Sequence, residues 1–391
     1  MAITAAHVAR APRIRLGMVG GGRGAFIGAV HRIAARLDDQ YELVAGAFSS
    51  DPERSAASAA DLGVARSYGS FAEMAQKEAR RKDGIEAVAI VTPNHMHAPV
   101  AVEFLKRGIH VICDKPLTAT LPEAKKLAKA AQASGVVFAL THNYTGYPMI
   151  RQAREMIAAG ALGDIRLVNV EYIQDWLAEP IESTGQKQAD WRTDPARSGA
   201  GGATGDIGTH AFNLANFVTG LTLHELSADL QSFVAGRRVD DNGHIMMRYT
   251  SGARGTLWCS QVASGQENGL RLRIFGTKGG IEWEQENPNY LWVAPLGQPK
   301  YRLTRGGPGS GDAAARMTRI PSGHPEGYLE GFANIYAEAA RAILARRDGT
   351  TVDAAVTFPG LTEGVEGVAF VDAVVDSHEK APFGWTMPAH A

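Results

Sequence analysis

Apolar runs of strand length recur at residues 14–19, 42–48, 87–91, 110–113 and 136–140, and stretches of helical character separate them, at 25–36, 52–61, 71–80, 97–107 and 121–134. A strand that is apolar nearly throughout must be covered on both faces. Amphipathic helices between such strands supply both the cover and the crossover connection. This alternation confines the first third of the chain to a doubly wound α/β fold on a parallel sheet. In such sheets ligands gather outside the carboxyl ends of the strands, so the turns at that edge are where chemistry is to be sought.

The first of those turns reads "GMVGGGRGAF" and crowds Gly20, Gly21, Gly22 and Gly24 together. Glycine loses the most backbone entropy on folding, so this density needs a reason. The spacing Gly20-x-Gly22-x-x-Ala25, between a strand and a helix, is the fingerprint of a dinucleotide pyrophosphate site. Backbone N–H groups at the helix start would face the phosphates, with Arg23, Gly24, Ala25 and Phe26 completing the cradle. The second strand runs out as "AGAFSSDPERS". Ser49 and Ser50 stand where NAD sites usually carry a carboxylate for the ribose, and Arg54 follows a helical turn later. Asp51, ahead of Pro52, suits a helix N-cap. This end of the site favours NADP and leaves NAD open.

Beyond about residue 143 the pattern changes to alternating strands at 165–174, 226–234, 244–249, 255–262, 270–275 and 280–283, some joined by short turns such as "TSGARG" and "GTKGG". Alternation predicts an antiparallel sheet with one packed face and one open face. Helical stretches at 332–347 and 363–377 close the chain, and "TRGGPGSGDAAARMTRIPSG" reads as a long mobile loop. The expected division is a dinucleotide-binding domain over 12–142 and a second α/β domain, with a large open and mainly antiparallel sheet, over 143–388.

Charge excludes some partners. Lys plus Arg number 40 against 41 Asp plus Glu, which gives no basic stripe for nucleic acid. No apolar run reaches membrane-spanning length, and the opening "MAITAAHVARAPRIRLG" lacks a signal-peptide core. Cys113 and Cys259 lie far apart within apolar runs, which suits a reduced, cytoplasmic compartment.

Three stretches carry the chemistry. "VTPNHMHAPVA" and "CDKPLTAT" both leave strands at the carboxyl edge, which aims Lys115 at the crevice. In "DWRTDPARSGAGGATGDIGTHAFNLANF" the glycines lead into a helix on which Asp206, His210 and Asn213 fall at i, i+4 and i+7, hence on one face. A lysine, a histidine and a carboxylate beside a nicotinamide suit alcohol oxidation. One group takes the hydroxyl proton while a cation steadies the oxygen. Blander readings exist for each: Asp206 as an N-cap, His210 as a core histidine, Lys115 as a solvated loop residue. Trp191 and Arg192 divide between cofactor or substrate contact and structural packing. His324, ahead of the helix in "GHPEGYLEGFANIY", is either a pocket wall or a cap. His95 and His97 lack a third neighbouring ligand, so no metal is expected.

These stretches together resemble the Gfo/Idh/MocA family of sugar and polyol dehydrogenases, over nearly the whole chain. The resemblance implies a Rossmann domain followed by an α/β domain with an open sheet. It places the family's catalytic lysine at Lys115 and its Asp-x-x-x-His pair at Asp206 and His210, with Thr92, Pro93, Asn94 and His97 at the cofactor. Three departures stand out. Asp114 replaces the usual Glu, still within reach of the cofactor. Asn213 replaces a frequent Asp. "NYTGYP" follows Asn143 with Tyr144 and Tyr147 instead of an Arg, which would let aromatic rings stack on a sugar.

The implied activity is oxidation of a ring hydroxyl of a sugar, glycoside, anhydrosugar or cyclitol. The alternatives are an oxidoreductive glycosidase that recycles its cofactor, and a non-catalytic sensor. His210 is expected as general base, oriented by Asp206, with Lys115 as the cation. The open sheet is expected to expose an apolar face and to pair with a second copy in a homodimer or homotetramer.

Overall fold

The computed structural model describes residues 12–380. Its first sheet is six-stranded and parallel: β1 (Ile14–Gly20), β2 (Tyr41–Ala47), β3 (Arg66–Ser67), β4 (Ala87–Val91), β5 (His110–Cys113) and β6 (Phe138–Leu140), in the order β3-β2-β1-β4-β5-β6. The chain runs outward from β1 in one direction and from β4 in the other. The crevice between their carboxyl ends, where Gly20 pairs with Val91, is therefore the switch point of the sheet. Every residue of β4 is buried, as its unbroken apolar run requires.

Helix Phe26–Leu37 packs over one face of this sheet. Beside it lies helix Tyr328–Arg347, which returns from far along the chain to place Phe332, Tyr336, Ala340 and Ile343 in the same core. The opposite face is covered by the helices at Phe71–Glu78, His97–Leu105 and Leu121–Ser134. Helix Leu361–Glu379 also returns to this sheet, through Val368 on that opposite face.

The second sheet is eight-stranded: β7 (Ile165–Ile173), β8 (Leu223–Gln231), β9 (Asn242–Tyr249), β10 (Arg254–Ser260), β11 (Gly269–Gly276), β12 (Gly279–Glu284), β13 (Tyr290–Pro295) and β14 (Tyr301–Thr304). Its order is β14-β13-β12-β11-β7-β10-β9-β8, antiparallel except for the central parallel pair β7–β10. The sheet extends past the expected last strand at residue 283 by two further strands, β13 and β14. One face is packed by helices Pro148–Ala158, Thr209–Thr219 and Leu361–Glu379 through Ile150, Leu214, Phe370 and Val374.

The other face is open and mixes exposed apolar side chains with charged ones. Leu167, Met246, Phe275 and Trp292 are exposed there, interspersed with ion pairs such as Arg271–Glu171 and Lys300–Glu282. The segment read as a mobile loop is tied down. Arg305 is buried, pairs with Glu326 at 3.0 Å and donates to the carbonyl oxygens of Ile320 and Pro321. Farther along, Arg319 Nε donates to Asp38 at the end of helix Phe26–Leu37, 2.7 Å away. Among the described residues no helix is long and apolar enough to cross a membrane.

Candidate active site

The glycine turn is built for close approach. A Cβ on Gly20 would sit 2.7 Å from the Val91 carbonyl oxygen, and one on Gly22 would sit 2.7 Å from that of Phe48. Gly24, at φ +75°, faces open space. Helix Phe26–Leu37 starts at Ala25 with no capping side chain and no acidic residue in its first turn, which leaves its N–H groups for an anion. Its close contact with the turn is made by Gly28, whose added Cβ would meet the Gly21 Cα at 2.4 Å. Sequence reasoning missed Gly28, although a glycine inside a helix carries a propensity cost that flags a packing reason.

The loops after β4, β5 and β6 line the crevice. Thr92 Oγ1 and Asn143 Nδ2 are buried without a hydrogen-bond partner, as polar atoms waiting for a ligand would be. Together with the glycine cradle they fit a dinucleotide. His97 is a staple: Nδ1 lies 2.7 Å from the Pro116 carbonyl oxygen and Nε2 2.9 Å from that of Thr92, which fixes the Thr92–Pro93 turn against the Lys115 turn. Asn94 Nδ2 donates across to Ser198 O at 2.8 Å, joining the two halves of the molecule. Asp114 Oδ1 accepts from the Lys115 N–H and from Thr141 Oγ1. Burial alone would raise the Asp114 carboxyl, but His31, Lys115 and His97 bring it down to about 2.

Lys115 reaches over to the second half. Its Nζ lies 2.9 Å from Asp206 Oδ1 and also donates to the Asp206 carbonyl oxygen. Asp206 Oδ2 accepts from Gln261 Nε2 at 2.9 Å and from Arg192 Nε at 3.2 Å, and the Arg192 guanidinium lies over the Trp191 ring. Burial would raise Asp206 as well, but Lys115 and Arg192 more than reverse this and hold it well below the usual carboxylate range. Gln261 carried no signal in the sequence.

One expectation is corrected here. Asp206 does not hold His210, and no hydrogen bond joins them. The chain makes a single π-turn at Thr204–Gly208 before the α-helix Thr209–Thr219, so the spacing of four no longer stacks the two side chains as it would in an α-helix. His210 sits instead in an aromatic box, with ring centres 4.9 Å from Tyr144, 5.4 Å from His142 and 6.2 Å from Tyr172. Burial, helped by Lys115 and His142, keeps its imidazole far below its ordinary pKa, hence neutral near pH 7. His210 Nδ1 and Asn213 Oδ1 have no partner. Tyr144 walls the site, its hydroxyl 2.5 Å from that of Tyr172, which in turn donates to Asn268.

Other expected contacts lie elsewhere. Tyr147 turns into the core against Trp283, with its hydroxyl near Gln285, so it is not placed to stack on a sugar. His324 is exposed on the loop ahead of helix Tyr328–Arg347, which starts at Gly327, so His324 neither caps that helix nor reaches the buried cluster. Arg23 is drawn away by a two-pronged pair with Asp61. Phe26 is 65 % exposed at the helix start. Ser49 and Ser50 follow the second strand, which ends at Ala47; Asp51 caps the next helix through the Arg54 N–H, and the Arg54 side chain is exposed.

A doubly wound sheet with a glycine cradle, coupled to an open sheet through a lysine–aspartate pair, defines a dinucleotide-dependent oxidoreductase. Residues 14–142 match the oxidoreductase family's NAD-binding Rossmann fold, and residues 150–282 match the GFO/IDH/MocA C-terminal domain. The chain belongs to the Gfo/Idh/MocA family.

Among solved structures, an oxidoreductase from Sinorhizobium meliloti is 61 % identical over 95 % of this chain and 99 % of its own, with a TM-score of 0.87. An inositol dehydrogenase homologue from Azotobacter vinelandii, complexed with NADH and myo-inositol, is 39 % identical over 95 % and 96 %, TM-score 0.89. Levoglucosan dehydrogenase in complex with NADH and levoglucosan is 27 % identical over 94 % and 98 %, TM-score 0.80.

Proposed function

We propose that this chain oxidises a ring hydroxyl of a sugar, anhydrosugar or cyclitol, passing hydride to a nicotinamide dinucleotide. The observation that carries this reading is the junction itself. Lys115 from the first half is paired to Asp206 of the second, beside a buried, unbonded and neutral His210. Relatives solved with myo-inositol and with levoglucosan support the substrate class. The nicotinamide, when bound, supplies the hydride acceptor.

His210 takes the hydroxyl proton as general base, since a neutral buried imidazole has a free lone pair to offer. Lys115 spends two of its N–H groups on Asp206 and turns the third to the reacting oxygen, where its charge stabilises the developing anion. Asp206 fixes that ammonium in place. At the adenosine end Ser49, Ser50 and the exposed Arg54 present no carboxylate, which supports acceptance of NADP, whereas the relatives' complexes with NAD support NAD.

A panel of monosaccharides, glycosides, anhydrosugars and inositols, assayed for both nicotinamide absorbance and aglycone release, tests the reading. Aglycone release without net absorbance change would replace it with an oxidoreductive glycosidase.

The open face of the second sheet is proposed as the contact between copies of the chain in a dimer or tetramer, since exposed Leu167, Met246, Phe275 and Trp292 share it.

A further inference from the structure

Buried histidines of this molecule fall into two kinds. His97 sets each ring nitrogen against a backbone carbonyl oxygen, and His31 Nδ1 lies 2.8 Å from the Tyr336 hydroxyl, with its Nε2 3.7 Å from Asp114 Oδ1. These imidazoles hold structure together. His142 and His210 are also buried, yet neither makes a side-chain hydrogen bond among the described residues, and the Nδ1 of each lacks a partner. Their rings meet edge to face at 90°, with centres 5.4 Å apart. Buried polar atoms are rarely left unpaired in the interior without a function.

His142 is anchored where the reaction takes place. Thr141, just before it, donates its N–H to the Cys113 carbonyl oxygen and its hydroxyl to Asp114, so His142 follows directly on the Asp114–Lys115 turn. Next to it in the chain, Asn143 Nδ2 is unpartnered, and one turn beyond His210 so is Asn213 Oδ1. Unsatisfied donors and acceptors thus cluster around the two imidazoles.

We propose that His142 is a second substrate-contacting imidazole, which grips the ring hydroxyl adjacent to the one that reacts at His210, so that the site selects rings bearing two neighbouring hydroxyls. The inference rests on the dehydrogenase reading and deepens it. Two imidazoles set at right angles can each address one hydroxyl of a vicinal pair. Burial, together with Lys115, lowers His142 to about 3, so it is neutral in the working range. A neutral imidazole offers one donor and one acceptor, the same pair of roles a hydroxyl presents in return.

The probes are myo-inositol, levoglucosan and glucose. The one oxidised fastest by the wild type is compared with its monodeoxy analogues at the carbons flanking the oxidised centre. A site that hydrogen-bonds a hydroxyl rejects the analogue lacking it strongly, so the wild type should prefer the diol by about 100-fold or more. His142→Phe keeps a ring against His210 but removes its nitrogens. It should lower kcat/KM on the diol by about 10–100-fold and on the deoxy analogue by less than about 3-fold. His142→Gln should recover part of the loss. Calorimetry of the same pair on the NADH-loaded proteins should show the same collapse of preference without turnover. His142→Asn serves if the Phe variant does not fold.

Equal losses on diol and deoxy analogue, or an undiminished diol rate, overturn the proposal. A wild type that neither binds nor oxidises any probe overturns the dehydrogenase reading, and with it this inference, before any variant is compared.

Discussion

In β4 all residues are buried, whereas β9 alternates, with Ile245, Met247 and Tyr249 inside and His244, Met246 and Arg248 outside. The first sheet has both faces occupied, so its candidate site residues, Thr92, Lys115 and Asn143, lie in the loops at its carboxyl edge. The second sheet has one face free. Its candidate site residues sit on the segment Thr204–Thr219, packed on the covered side, and its other face stays open. The candidate site lies where an edge meets a face, and the Lys115–Asp206 pair closes that seam.

The largest effects should come from cutting the seam on either side. Lys115→Ala removes the contribution of the first sheet and His210→Ala that of the second. Each should slow turnover by roughly 10²–10⁴-fold with dinucleotide affinity nearly unchanged, as steady-state kinetics and fluorescence titration would show. The acid limb of the pH–rate profile that belongs to histidine should vanish only in His210→Ala. Should that variant keep the wild-type profile and most of its rate, the base is Lys115.

The two-faced and one-faced sheets can next be compared by stability. Phe104, fully buried under the first sheet, should cost about 3–5 kcal/mol on change to alanine. Leu167, 47 % exposed on the open face, should cost under about 1 kcal/mol in a dilute, dissociated chain. If denaturation of Leu167→Ala shows a loss that grows with protein concentration, the open face is covered by a second copy. Light scattering that gives the mass of a single chain at micromolar concentration would end that idea.

A smaller effect is expected at the adenosine end. If Arg54 meets a 2′-phosphate, Arg54→Ala should weaken NADP by about 1.5–3 kcal/mol and leave NAD almost untouched. A wild type that binds NAD much more tightly than NADP removes Arg54 from that role.

The smallest effect separates a buried charge from surface ones. Asp114 is brought from an ordinary 3.8 to about 2. A depressed carboxyl stabilises the fold above its unfolded value, and that stability is lost as pH falls from about 4 through about 2. Asp114→Asn should flatten the acid side of the stability curve in that window. Glu225→Gln, which breaks the exposed pair with Arg248 on the second sheet, should leave the curve unchanged within error.

The same contrast explains what could be read in advance. Continuous apolar runs define a buried parallel sheet with little ambiguity, and the glycine turn then locates the crevice. The edge strand β14 carries no signal because Tyr301 and Arg302 are exposed and the run is short, whereas β13 does alternate, with Leu291 and Val293 inside and Trp292 outside. Arg305 looked like a surface charge in a glycine-rich loop, and only the tertiary structure shows the carboxylate and carbonyls that bury it. A spacing of four implied that Asp206 serves His210, but one π-turn and a lysine 91 positions away in sequence reassign the carboxylate. Tyr144 and Tyr147 read alike, and the direction of each is decided by what packs beneath it.

Helix Tyr328–Arg347 gives the molecule a history as well as a shape. As the chain leaves the ribosome, residues 14–140 can form all six strands of the first sheet. The surface that Phe332, Tyr336 and Ile343 will occupy nevertheless stays bare until helix Tyr328–Arg347 has been made. The first sheet is therefore finished only after the strands of the second have been made. A fragment ending near residue 142 should remain sticky and poorly cooperative, and adding a peptide of residues 328–347 should restore a sharp unfolding transition.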